Sequence, residues 1–255
     1  MLTAPYRTLD DVVNGFASLE THFRQQRDRR AIFLTLYGVV SAEMRTRVEA
    51  GAFADPPWVH RYAVAFANLY RDALEAYEDG RAADVPKPWR LCFDAAKAGS
   101  RLVLQDMLLG VNAHVNNDLP RALVSVSIDP DRALRYRDHA AVNEVLGSIT
   151  ERATQRIAAL YAPGLTAMDA AAGQLDEMAS QFSLQIARES AWESAVSLAN
   201  ARNAMERHLV STLITTRAGT LARLLLVPLD PVLLAACRRL EAGPEWLTLL
   251  GAALA

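Results

Sequence analysis

The sequence predicts an all-α fold, a single multi-helix bundle that spans residues 1–255. Apolar residues recur at helical spacing along most of the chain, and N-cap residues, prolines and glycines stand where helices would begin and end. No segment shows the sustained alternation of apolar and polar residues that marks a half-buried strand. The nearest case, residues 123–128, is one short run that we interpret as an extended loop. We find no internal repeat and no linker long enough to divide the chain.

The first three helices are predicted from their caps and stops. Thr8, Asp28 and Asp55 are the expected N-cap residues, and proline follows Asp55 at the first helical position, where its missing N–H costs nothing. These helices are expected to end near Gln26, Gly51 and Gly80.

The remaining elements follow in order. Residues 82–88 form a loop, and residues 89–119 form one or two helices split near Gly99. A further helix starts after Asp129-Pro130 and runs to about Tyr161. Residues 166–217 form a long helical stretch with a break in it. Short helices are expected after Gly219, after Asp230-Pro231 and after Pro244.

Composition restricts the classes of protein. Hydrophobic residues make up 51% of the chain, charged residues 22%, and the net charge is -2, so neither disorder nor a nucleic-acid-binding surface is indicated. No signal peptide and no membrane span are evident. Cys92 and Cys237 lie far apart in apolar segments that are predicted to be helical. This pattern favours two buried free thiols in a reducing compartment over a disulfide. We expect a cytoplasmic protein whose partner is a small molecule.

The segment 104–120 places several ionisable and amide side chains in an otherwise apolar helix. His114 and Asp118 are i,i+4 neighbours on one face, which is half of a metal site. Alternatively they form an ordinary intrahelical pair, with the amides and Pro120 merely ending the helix.

A second pair of the same spacing, His139 and Asn143, follows about one helix later. The two pairs can face each other across antiparallel helices. His60 could supply a further ligand, with Asp55 as another candidate; the alternative is a capping aspartate and a half-buried histidine.

A third group lies on the long helix after residue 166. Gln181, Gln185, Arg188 and Trp192 share one helical face. This face either lines a polar cavity, with Arg188 suited to a phosphate or carboxylate, or is a solvated stripe.

Two resemblances rest on these residues. The pattern from Leu109-Gly110 through Ala113-His114, Asp118 and Pro120 to His139 and Asn143 resembles the metal-binding core of the zinc-dependent phospholipase C and single-strand nuclease superfamily. That resemblance implies a phospholipase C-like helical fold, with His114, Asp118 and His139 as metal ligands. The segment 105–119, together with Arg188-Glu189 and Ala191-Trp192, resembles an uncharacterised bacterial family common in actinobacteria, which implies no activity.

The chain departs from the zinc superfamily in its ligands. Asn143 stands where those enzymes have a glutamate, a segment beginning with Pro120 replaces a further histidine, and the N-terminal tryptophan ligand is missing. We therefore expect at most one divalent ion, zinc or manganese.

Three functional hypotheses follow. The first is a metal-dependent hydrolase acting on a phosphoester or related small molecule, with metal ligands His114, Asp118, His139 and His60 and with Arg188 orienting the substrate. The second is a metal-free lyase or cyclase in which Asp118 holds His114 as general base. The third is a non-catalytic helical binding protein.

The helix that bears His114 is expected to be central and to contact the helices that bear His60, His139 and Trp192. Large side chains predicted to be buried are Phe33, Tyr37, Phe66, Tyr70, Met107, Leu108, Phe182 and Trp192.

Overall fold

The computed structural model describes residues 4–164 and 184–243, which are helical throughout apart from their connections and contain no β-strand. The predicted all-α class is confirmed. The helices are α1 (Leu9–Gln25), α2 (Ala31–Glu49), α3 (Pro56–Glu78), α4 (Lys87–Ala98), α5 (Val103–Asn112), a π-helical segment (Ala113–Asp118), α6 (Leu119–Ser125), α7 (Arg132–Tyr161), α8 (Leu184–Ala199), α9 (Ala204–Leu225) and α10 (Pro231–Ala242). The predictions for Gln181, for Phe182 and for a helix after Pro244 lie outside the described residues.

The caps explain where the helices begin. The Thr8 side chain accepts a hydrogen bond from the Asp11 N–H, and the Asp11 carboxylate accepts one from the Thr8 N–H, which makes a capping box. Asp55 accepts from the Trp58 N–H at 2.9 Å, as an N-cap does. The Asp28 prediction is only partly right: its side chain accepts from the Arg30 N–H, one turn before α2 starts at Ala31.

The predicted end of the central helix at Pro120 is wrong. α5, the π-helical segment and α6 form one continuous helix, and Pro120 lies in the first turn of α6. The Leu119 N–H donates to the His114 carbonyl, five residues back, which is the wider π-helical pattern. Proline has no N–H to donate, and Pro120 stands two residues after the end of the π-helical segment; the next residue, Arg121, donates from its guanidinium to the Asn117 carbonyl.

This central helix lies inside a ring formed by α2, α3, α4, α8 and α9. The predicted contacts with the helices that bear His60 and Trp192 are therefore confirmed. The helix that bears His139, α7, instead packs mainly on α2. Asp138 ties α7 to the start of α3, because its carboxylate accepts from the N–H groups of Ala54 and Asp55 at 2.7 and 2.8 Å.

The C-terminal helices depart from the prediction at one point. The expected break in the long helical stretch falls at residues 200–203, but α9 continues through Gly219 to Leu225 instead of restarting there. The Lys87 side chain lies over Gly219, where a Cβ would meet it at 3.5 Å. Within residues 4–164 and 184–243, no helix is long and apolar enough to cross a membrane.

The core prediction holds for most residues. Those found buried are Phe33, Tyr37, Phe66, Tyr70, Leu108 and Trp192. Met107, which lines a cavity, is only partly buried, so the prediction is wrong for this residue.

Candidate functional site

His114 and Asp118 form a buried pair at the centre of the molecule. Both side chains are almost fully buried, and His114 Nδ1 lies 3.2 Å from Asp118 Oδ2. The two residues lie four apart in the π-helical segment, as the spacing predicted. π-Helical turns often occur at functional sites, because the extra residue per turn redirects side chains.

Three neighbours hold the Asp118 carboxylate in place. The Trp89 indole N–H donates to Oδ2 at 2.7 Å, and the Asn117 amide donates to Oδ1, also at 2.7 Å. The third is His114 itself. A carboxylate only accepts hydrogen bonds, so His114 Nδ1 carries a proton and donates it.

The opposite nitrogen of His114, Nε2, is buried and has no hydrogen-bond partner among the described residues. The ring is enclosed by aromatic side chains: Phe66 stacks on its face at 3.5 Å, and Tyr37 meets it edge-on at 4.3 Å between centroids. Burial lowers the pKa of His114, and the Asp118 charge opposes this shift in part. The imidazole is therefore neutral at neutral pH, with its lone pair on Nε2.

An apolar cavity of about 360 Å³ lies beside His114. Its walls come from α1, α2, α3, α5, α7 and α8, and most of the lining side chains are aliphatic or aromatic. The polar groups at the wall include His114, Tyr37, Tyr62 and Arg188. A largely apolar pocket with a few polar groups is the usual form of a small-molecule site.

Arg188 is 3% exposed and belongs to this wall. Its Nε donates to the Asn143 side-chain oxygen at 2.8 Å, and Nη2 donates to the His139 carbonyl at 2.6 Å. Neither alternative for this face of the long helix holds as stated. Arg188 lines a cavity, but that cavity is largely apolar, and Gln185 is exposed.

His139 supports Arg188 with the opposite tautomer to that of His114. Its Nε2 lies 3.1 Å from the Arg188 carbonyl and donates to it, and Nδ1 accepts from Arg188 Nη2 at 3.4 Å. Burial and the neighbouring Arg188 charge lower the pKa of His139 to about 3. His139 is thus a neutral positioning residue.

The predicted metal ligands do not form one cluster, although His114 and Asp118 contact each other. Among the residues that the structure describes, no three His, Cys, Asp or Glu side chains lie close enough to share a metal ion. Both Asp118 oxygens already accept hydrogen bonds, and His139 Nδ1 faces a guanidinium, which repels a cation. His60 is half-buried on α3, and Asp55 caps that helix while pairing with Arg135. These side chains do not fit a divalent ion.

Sequence reasoning missed Trp89, Tyr37 and Tyr62 as parts of the site. Each lies in the apolar stripe of a helix, so periodicity marks it only as core. The available signal was chemical: Trp and Tyr carry a polar group that needs a partner when buried.

The fold and the site define an all-α protein with a buried His–Asp pair at the wall of an apolar cavity. The chain belongs to a family of unknown function, DUF5995, whose family model matches residues 9–228. This finding agrees with the resemblance to an uncharacterised family, and the comparisons give no support to the resemblance to the phospholipase C superfamily. No curated protein and no solved structure matches the chain.

Proposed function

We propose that the protein is a metal-free enzyme that uses His114 as a general base on an apolar small molecule held in the cavity. The observation that carries this proposal is the buried Nε2 atom of His114, which has no hydrogen-bond partner among the described residues and belongs to a residue that lines the cavity. Buried nitrogen atoms without partners are rare, because each loses its hydrogen bonds to water. A substrate proton at Nε2 would satisfy the atom.

The surroundings of His114 suit proton abstraction. The C–H or O–H bond of the substrate breaks, the proton goes to Nε2, and the electron pair stays on the substrate. Asp118 then stabilises the imidazolium through Nδ1, in the way that an aspartate orients the histidine of a catalytic triad. Trp89 and Asn117 keep Asp118 in this geometry. Such a step belongs to a lyase or cyclase reaction.

Two other functions use the same cavity. A phospholipase C-like hydrolase would need a metal, for which the described residues offer one open nitrogen, His114 Nε2, and no cluster. A binding protein would need the cavity but not the pairing of His114 with Asp118. The general-base proposal is the one that gives both features a role.

The test compares the wild-type protein with His114→Asn. The asparagine amide takes the place of Nδ1 and can still donate to Asp118, but Nε2 is lost. Each protein is incubated with a bacterial metabolite extract, with and without a chelator, and the small molecules are followed by mass spectrometry. His60→Asn, which changes a half-buried histidine outside the cavity lining, is the matched control.

We expect wild-type protein and His60→Asn to convert the same compounds, with or without chelator, and folded His114→Asn to convert none. No conversion by the wild-type protein would favour a binding protein. Loss of conversion on chelation would favour the metal-dependent hydrolase.

A further inference from the structure

Arg188 carries a buried charge without a counter-ion among the described residues. Its side chain contacts neutral groups: the Asn143 amide, the Tyr62 hydroxyl, and the carbonyl and neutral imidazole of His139. Burying a charge is costly unless the charge is both hydrogen-bonded and paired with an opposite charge. An anion entering the cavity would supply the missing partner.

The hydrogen bonds of Arg188 indicate which N–H group could bind that anion. Of its five N–H groups, Nε uses one for Asn143, Nη2 uses two for His139, and Nη1 uses one for Tyr62 at 3.3 Å. One Nη1 N–H is left. Tyr62 accepts from Arg188, so its own O–H remains able to donate. Both side chains line the cavity.

The rest of the cavity selects an apolar ligand body. Most of the remaining lining is apolar and includes Leu36, Leu108, Val142, Leu146 and Ile149. At about 360 Å³ the cavity lies at the small end of ligand-binding pockets, which start at about 300 Å³. The space suits a chain of medium length or a compact ring system.

We propose that the cavity binds an apolar ligand with a single carboxylate, which accepts hydrogen bonds from Arg188 and Tyr62 while its apolar body lies between α2, α5 and α7. Two donors match the two oxygens of a carboxylate, and one cation balances its one charge. A phosphate monoester would bring more charge and more oxygens than these groups satisfy. This inference rests on the proposed function in placing the ligand beside His114.

The experiment measures binding of decanoate by calorimetry, with decanol, decylammonium and decyl phosphate as matched probes of the same chain. The wild-type protein should bind decanoate more tightly than each of the other three. Arg188→Met, which keeps the length of the side chain, should weaken decanoate binding by about 10- to 100-fold. The same variant should leave decanol binding unchanged.

Tyr62→Phe provides a second variant in case Arg188→Met does not fold. This substitution removes one hydrogen-bond donor and keeps the ring. The affinity for decanoate should therefore fall by about 3- to 10-fold, whereas the affinity for decanol should not change. Equal binding of decanoate and decanol, no binding of decanoate, or preference for decyl phosphate would each overturn the carboxylate assignment. So would undiminished decanoate binding in folded Arg188→Met.

The two proposals fail in different ways. His114→Asn should still bind decanoate, because the carboxylate lies on Arg188 and Tyr62. Arg188-dependent binding without any His114-dependent conversion would overturn the general-base proposal alone. His114-dependent conversion without selectivity for decanoate would overturn the carboxylate assignment alone.

Discussion

The imidazole of His114 lies face to face on the ring of Phe66, with centroids 3.5 Å apart and planes 8° from parallel. This stacking covers one face of the imidazole with an apolar surface and excludes water from it. Because a low-dielectric environment disfavours the charged form of histidine, the contact contributes to the lowered pKa of His114. Phe66 therefore stabilises the fold and also helps to keep the imidazole of His114 neutral.

Phe66→Ala should lower the free energy of unfolding by about 3 kcal/mol, at the low end of the cost of truncating a buried phenylalanine, because the ring borders the cavity. Water reaching His114 should also move the pKa of its imidazole towards the ordinary value. Denaturant unfolding checks the first effect. Wild-type stability in this variant would contradict the packing of α3 on the central helix.

Trp89→Phe tests the support of Asp118. The indole N–H of Trp89 donates to a carboxylate, so its loss should cost about 1.5 to 3 kcal/mol. Trp58→Phe is the matched control: Trp58 is equally buried, but its indole N–H donates to the neutral Ser127 carbonyl at 2.9 Å, so the loss should be about 0.5 to 1.5 kcal/mol. Equal losses in urea unfolding would argue against a charge-assisted bond at Trp89.

Gly110→Ala tests the close approach of α2 to the central helix. A Cβ at Gly110 would lie 2.5 Å from Phe33 Cδ2, so either the ring or the helix must move. We expect a loss of about 1 to 3 kcal/mol in thermal or denaturant unfolding. Gly38→Ala, in α2 with nothing within 4 Å of the added Cβ, should instead stabilise by about 0.5 to 1 kcal/mol. A neutral Gly110→Ala would contradict the predicted clash.

Local signals explain which parts of the fold the sequence predicts. Thr8, Asp55 and Gly99 act within one helical turn, so their boundary roles follow from residue type, and apolar periodicity identifies the buried faces. Pro120 misleads because the helix continues past it: the π-helical segment changes the hydrogen-bond spacing just before it, and α6 packs on α3 and α8. Packing between helices cannot be read from the local sequence.

In the site, too, local contacts can be predicted from the sequence and contacts between helices cannot. His114 and Asp118 lie four residues apart in one helix, so spacing predicts their contact. His139 and Arg188 lie 49 positions apart in the sequence, and nothing in the sequence of either helix indicates that the two side chains are in contact. The expected metal site combined side chains from three helices on the basis of spacing and of the resemblance to the zinc superfamily, whereas packing places His139 beside a guanidinium.

The two buried histidines predict a dependence of stability on pH. Burial lowers the pKa of both His114 and His139, so below about pH 6.5 the unfolded chain binds protons that the folded chain does not. The free energy of unfolding should therefore fall as the pH falls below this value, by up to about 1.4 kcal/mol per pH unit for each histidine. For His139 the window extends down to its folded pKa of about 3.

Denaturant unfolding of the wild-type protein between about pH 7 and about pH 5 measures this slope. His139→Gln should flatten the slope by the share of one histidine. Burial raises the pKa of Asp106 and Glu241, which adds a slope of opposite sign to both proteins, so the comparison between the two is the test. Equal slopes in the wild-type protein and His139→Gln would show that the His139 imidazole is not held neutral by burial.

NMR of ¹⁵N-labelled histidine side chains measures directly whether Nε2 of His114 is unprotonated. At neutral pH we expect a neutral His114 with its proton on Nδ1 and a neutral His139 with its proton on Nε2, each assigned by the signal lost in His114→Asn or His139→Gln. A His114 that is charged, or that carries its proton on Nε2, would contradict the general-base proposal.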